Sequence, residues 1–481
     1  MPVLSRAVIT IADVVEVARG RAPVSFARPV ELDLAASRAV VEKIAASGVA
    51  VYGLNTELGA GRDITVDANA LEAFQQRVVR NSSGGVGEPL SEEQARAVIY
   101  ARLVGFTRGG AGVTPALAAQ YRELLNRGVY PFVPRTGSVG SADLTHLAAI
   151  AAVAAGSGRA LVEGSVMPGQ AALEAAGLAP HVLQAHEGLA ALSSNAFSVG
   201  VGALVVTDAR ATIRAADAAV ALSLTALASH SGGGSASPFS EVIQAAHPSP
   251  GQAASAARVR GLLGTVSAAS VQDPISFRSA PQITGAAIEA VERAASLVAL
   301  ELNSRTENPL VDIETATMTS GGNFQVLGLA LSFEALRLAL AHVAGASERR
   351  LAKLSSLSAD ARRSGTARVP GLSWYSSSVL VAELNHLANP VTLGGSSLSD
   401  DVEDHSSHAA LALQLLERSV ALTRTVLAIE ALTAAELVLL ADAAPASALQ
   451  TVVDALRSGL DADLPVDELV TTLEAALLAV G

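Results

Sequence analysis

The 481-residue chain has no cysteine, and aromatic residues make up only 3% of it. Without thiols there is no disulfide framework, no thiolate nucleophile and no cysteine-ligated metal. The scarcity of aromatics, with a single Trp, argues against surfaces that stack on bases or sugars. Basic side chains are also outnumbered, 33 Lys and Arg against 45 Asp and Glu, for a net charge of −12. That sign disfavours nucleic acid and anionic membranes, so no nucleic-acid and no membrane partner is expected and a small-molecule substrate fits better. Residues 1–20 interrupt their apolar residues with Arg6, Asp13 and Glu16, unlike the core of a signal peptide. Apolar runs such as 197–207 are read as too short to span a bilayer. A cytoplasmic location is the resulting expectation.

Half the residues are hydrophobic and alanine is abundant, a composition for close-packed helices. Apolar residues recur at i, i+3, i+4 and i+7 over 282–303, 328–353, 376–387 and 406–440, predicting long helices. An all-α fold follows: a central long-helix bundle over 182–440, a loop-rich N-terminal domain over 1–181 and a short helical cap over 441–481. The glycine-rich run Ser229 to Pro238 is read as a helix-to-helix loop, since no strand precedes it and no Gly-Lys-Ser/Thr follows.

Turn-rich stretches in the N-terminal part are where a site is expected. One of them is Thr136-Gly-Ser-Val-Gly-Ser-Ala-Asp-Leu-Thr-His146. Others carrying distinctive residues are Tyr52-Gly-Leu-Asn-Thr56, Gly85-Val-Gly-Glu-Pro-Leu90 and Glu187-Gly-Leu-Ala190. Further along come Val271-Gln-Asp273 with Arg278 and Pro281-Gln282, Glu301-Leu-Asn-Ser304 with Asn308-Pro-Leu310, and Ser320-Gly-Gly-Asn-Phe324. Ser347-Glu-Arg-Arg350 and Glu403-Asp-His405 complete the series. In order and spacing these motifs resemble the histidine and aromatic amino acid ammonia-lyases over roughly residues 35 to 430. The resemblance implies an aspartase/fumarase-like helical fold and a homotetramer whose active sites are shared between chains.

In that family an Ala-Ser-Gly run cyclises into the methylidene-imidazolone (MIO) electrophile. Here the run is one residue short, and the equivalent triad is Gly140-Ser141-Ala142. Because Ala replaces the glycine whose amide must attack two residues back, the MIO group is expected to be absent and no cofactor is expected. The resemblance makes Tyr52 the catalytic base, Arg278 the clamp on a substrate carboxylate, and Glu403 a catalytic carboxylate able to meet an imidazole or a cation. Ser141 is the retained triad serine. Ser82, Ser193, Ile275 and Gln325 stand where relatives place a histidine, an asparagine, a tyrosine and a histidine; with Asn308 they complete the expected substrate-binding set. Histidine itself is not an expected substrate, because Ser82 cannot replace a ring-binding imidazole.

An alternative reading makes Asp400, Asp401, Glu403 and Asp404 an acidic helix N-terminus. His405 and His408, at i and i+3, invite a metal reading, but no metal is the expectation. The leading functional expectation is an MIO-independent lyase of biosynthetic or secondary metabolism. It would carry out elimination, or the reverse addition or cyclisation, on an activated carboxylate or carbonyl substrate. An atypical ammonia-lyase or aminomutase with a Gly-Ser-Ala-derived electrophile is the second reading, and a silent ligand-binding or structural relative the third.

Overall fold

The computed structural model describes residues 2–263 and 270–481. Long helices dominate: Ala196–Ser231, Ala280–Leu302, Leu327–Leu357 and Ala409–Leu440. Three of these coincide, within a few residues, with the helices predicted from periodicity. The apolar run 197–207 belongs to the 36-residue first helix, so the expectation that it is too short for a bilayer does not hold. Two helical stretches, Glu187–Ser231 and Leu327–Leu357, have the length and apolarity to cross one. The apolar window of the first is wholly buried inside the protein and that of the second 56% buried, as core helices are.

The chain divides into two compact units. One comprises Met1–Leu204, Ala295–Leu331 and Val391–Gln414; the other comprises Val205–Ala294, Ser332–Pro390 and Leu415–Gly481.

The first unit is built around the helix Glu92–Thr107, which opens with a reciprocal cap between Ser91 and Gln94. Such a cap satisfies backbone donors that a helix start leaves open. Arg102 on this helix is fully buried. It pairs with Glu307 at 3.1 Å and donates to the carbonyls of Ala190 and Ala191. The helices Leu71–Ser82, Leu144–Ala154 and Glu187–Leu192 pack against one another. The approach is close at Gly188, where a Cβ would lie 2.7 Å from the Gln75 carbonyl oxygen. Small antiparallel ribbons decorate the unit. One pairs Val86–Pro89 with Pro134–Thr136, setting Val86 opposite Thr136 and Pro89 opposite Pro134, and so fixes where the loop after Thr136 begins.

The second unit is helical and contains a buried polar hub. The Glu430 carboxylate accepts from Ser223 and Ser347, both at 2.6 Å, and from two Arg350 nitrogens at 2.6 and 2.8 Å. Arg350 spends a further N–H on the Ser276 carbonyl at 3.0 Å, tying the hub to the short helix Ile275–Arg278. The glycine-rich run after Ser231 is a loop, as expected. Its Gly234 and Ser235 amides donate to the Asp273 carboxylate, which occupies the donors that a phosphate would need.

Glu430→Ala leaves a buried, unpaired Arg350 and is expected to destabilise the protein by about 3–5 kcal/mol. Breaking the more exposed Arg210–Glu292 pair should cost less than about 1 kcal/mol. Urea unfolding of both variants checks the contrast.

Candidate active site

Helical periodicity builds one wall of a cavity of about 340 Å³ in the first unit. Phe74, Arg77, Val78, Asn81 and Ser82 fall at i, i+3, i+4, i+7 and i+8 of the helix Leu71–Ser82, and all five line it. Tyr52, Leu144, Leu189, Leu192 and Glu403 also line it. Three expected site residues, Tyr52, Ser82 and Glu403, therefore share one cavity. Glu57, Arg77 and Asn81, which the motifs did not single out, lie beside them. The helical face of 74, 77, 78, 81 and 82 was the signal that could have found two of the three.

The charges in this cavity are unequal. Glu57 is paired with Arg77 at 2.6 Å. Glu403 is held by its backbone, exchanging hydrogen bonds with Leu398 at 3.0 and 3.1 Å, while its carboxylate has no partner among the described residues. Burial raises the Glu403 carboxyl above its ordinary value, the expected response of a carboxylate losing water without gaining a cation. The Tyr52 hydroxyl oxygen accepts the Gly59 N–H at 3.0 Å. Its phenol is raised above the ordinary value of 10, first by burial and then by the Glu403 charge; the Gly59 amide and Arg62 oppose the rise.

Ser141 lies in a second, contiguous cluster. The loop doubles back so that Gly140 and Ala142 bridge one another and Ser141 bridges Gln325. Ser138 holds the loop from within, donating to the Ala142 carbonyl and the Asp143 carboxylate, both at 3.1 Å. Residues 407–408 hold it from outside: the Ser407 hydroxyl donates to the Gly140 carbonyl at 2.9 Å, and the His408 N–H to the Val139 carbonyl at 2.9 Å. A Cβ on Gly140 would lie 2.2 Å from the Ser407 oxygen, with φ at +88°, so only glycine fits there. Asp143 is buried and accepts the Ser198 N–H at 2.8 Å. The Gln325 amide donates to His405 Nδ1 at 3.1 Å, and the Ser193 hydroxyl accepts the Asn308 N–H at 2.8 Å.

Arg278 and Ile275 belong to the second unit. Arg278 ends the short helix Ile275–Arg278, and its Nε is buried without a partner among the described residues. Ile275 is exposed. The acidic-helix reading of 400–404 does not hold: Ser399, Asp400 and Asp401 have positive φ and the helix begins at Ala409. His405 and His408 are engaged by Gln325 and by the Gly394 carbonyl, and they lie on no common helix face.

A family model described as aromatic amino acid lyase matches residues 9–458. The chain belongs to the aromatic amino acid lyase family. It is 36% identical to a histidine ammonia-lyase of Stigmatella aurantiaca over 443 residues, covering 89% of this chain and 86% of that one. The ergothioneine-degrading ergothionase of Treponema denticola superimposes with a TM-score of 0.91 at 25% identity, covering 100% and 99% of the two chains. A tyrosine aminomutase from Streptomyces globisporus does so with a TM-score of 0.89 at 26% identity, covering 100% and 97%. The family comprises ammonia-lyases and aminomutases, and this member is a lyase.

Membership corrects one expectation. The MIO group was expected to be absent and the enzyme to have no cofactor. The family uses that group, and identity of 36% over most of the chain points to its presence. The steric objection fails on the loop itself. Ala142 holds φ at 58°, the left-handed conformation that favours glycine, and its Cβ is accommodated there at a cost of about 1–2 kcal/mol. With Gly140 and Ala142 bridged and Ser141 only 7% exposed, the three residues present fit the group.

Glu403→Gln removes a negative charge beside Tyr52 and should move the phenol titration down, towards 10. Ultraviolet difference titration of each protein against its Tyr52→Phe counterpart isolates the Tyr52 signal and measures the shift. An unchanged midpoint would contradict the coupling.

Proposed function

We propose that the chain is an ammonia-lyase acting on an α-amino acid whose side chain presents an N–H or a positive charge. The observation that carries the substrate class is the unpartnered Glu403 carboxylate, raised by burial, in a cavity with apolar walls at Leu144, Leu189 and Leu192. Such a carboxylate gains most from a donor or a cation. The relatives' named substrates support the class, since histidine and ergothioneine both carry an imidazole-type ring. Ser82 in place of histidine favours a substrate other than histidine itself.

Gly140, Ser141 and Ala142 would hold the MIO group, which supplies an electrophile towards the substrate amine. Arg278, with a buried and unpartnered Nε, clamps the substrate carboxylate by paired N–H bonds. Glu403 receives the side chain. Tyr52 removes the β-proton, which requires its phenol to be brought down from its raised value. A cationic side chain on Glu403 works in that direction, because it offsets the negative charge that adds to the larger effect of burial on the phenol.

The working form is inferred to be a cytoplasmic homotetramer with sites shared between chains. Leu338, Leu372, Tyr375 and Val379 of the second unit are large apolar side chains left exposed, which supports burial of that surface in an assembly. A monomer in light scattering at micromolar concentration would remove this part of the reading.

Tyr52→Phe is expected to lower kcat by about a hundredfold or more, and Arg278→Lys to raise KM while leaving the protein folded. The first measurement is the mass of the peptide spanning Gly140 to Ala142. Loss of two waters, with near-ultraviolet absorption, is the expected result. An unmodified peptide overturns the electrophile.

A further inference from the structure

We infer that Ser407 is the residue that activates the Gly140 carbonyl for ring closure, which makes it a positioning and activating residue for formation of the electrophile. This rests on the reading that Gly140-Ser141-Ala142 cyclises. Closure begins when the Ala142 nitrogen bonds to the Gly140 carbonyl carbon and the carbonyl π pair moves onto oxygen. That oxygen then leaves as water with the two protons carried originally by the Ala142 and Ser141 nitrogens, forming a C=N bond. A second water is made from the Ser141 hydroxyl and the Ser141 Cα proton as the exocyclic C=C bond forms. No oxidant or reductant is needed.

The demanding moment is the build-up of negative charge on the Gly140 oxygen. A donor already aimed at that oxygen stabilises the charge without reorganisation. Ser407 is that donor. Its hydroxyl lies 2.9 Å from the Gly140 oxygen and is fully buried, so water does not compete for it. The Ser407 hydroxyl oxygen itself accepts the Ala409 N–H at 3.3 Å; this fixes it at the start of the helix Ala409–Leu440 and leaves its proton for Gly140. The His408 N–H on the Val139 carbonyl, at 2.9 Å, holds the preceding peptide in register. The Gly140 position has no room for a side chain against Ser407, so donor and carbonyl are brought together by the one residue type that permits the approach.

Ser407→Ala deletes the donor with little change of volume. The wild-type protein, Ser407→Ala and Ser407→Thr are expressed in parallel, and the 140–142 peptide of each is followed by mass over hours after synthesis. The expected result is complete loss of two waters in the wild type, retention of both waters in most of the Ala protein, and recovery towards wild type in the Thr protein. Circular dichroism and thermal melting establish that each variant is folded. A folded Ser407→Ala protein that loses both waters as fast and as fully as wild type overturns the role of Ser407. A wild-type peptide that keeps both waters overturns the cyclisation itself.

Discussion

The site depends on two chain segments, 137–143 and 405–409, being pinned by one side-chain and one backbone hydrogen bond. Ser407 and His408 hold the carbonyls of Gly140 and Val139. Immediately beyond the pin, Leu144 enters the cavity from one segment; Glu403, just before it, enters from the other. The orientation of the cavity wall and the shape of the triad are thus set by the same few hydrogen bonds. Because the Ser407 bond is buried, it exchanges little with water, and losing either partner leaves an unsatisfied polar group behind.

The long helices were legible in the sequence because their signal is local. Alanine and leucine at helical spacing decide 280–302, 327–357 and 409–440 without reference to any distant residue. Periodicity starts the last helix three residues early, at 406, because Ser407 and His408 are engaged with the triad loop rather than in helical turns. That is a tertiary contact, invisible to periodicity. The motif residues Tyr52, Ser82 and Glu403 were legible through their resemblance to a family. Glu57 and Ser407 were not, since each matters through a partner far along the chain: Arg77 for the first and Gly140 for the second.

Ala142 shows how a sound local rule can mislead. Its side chain disfavours the left-handed conformation in isolation, and that preference suggested a loop unable to close. In the folded protein the residue is over-determined by Ser138 on its carbonyl and by the bridge to Gly140, and a penalty of about 1–2 kcal/mol is small against such constraints. Alanine also has fewer conformations than glycine in the unfolded chain, so ordering it gives up less entropy. The substitution changes where the conformational restriction comes from rather than whether the turn forms.

The half-buried, unpartnered Glu403 has a consequence, on the proposed reading, for discrimination between ligands. A ligand with a purely hydrocarbon side chain would fill the cavity and seal the carboxylate from water while offering it nothing in return. Rejection of that kind, through a polar group stranded by the wrong guest, reaches ratios of about 10⁴–10⁵, far beyond the roughly tenfold to 200-fold that one methylene of fit provides. On the proposed reading, selectivity in this pocket would be set less by its shape than by the solitude of one carboxylate.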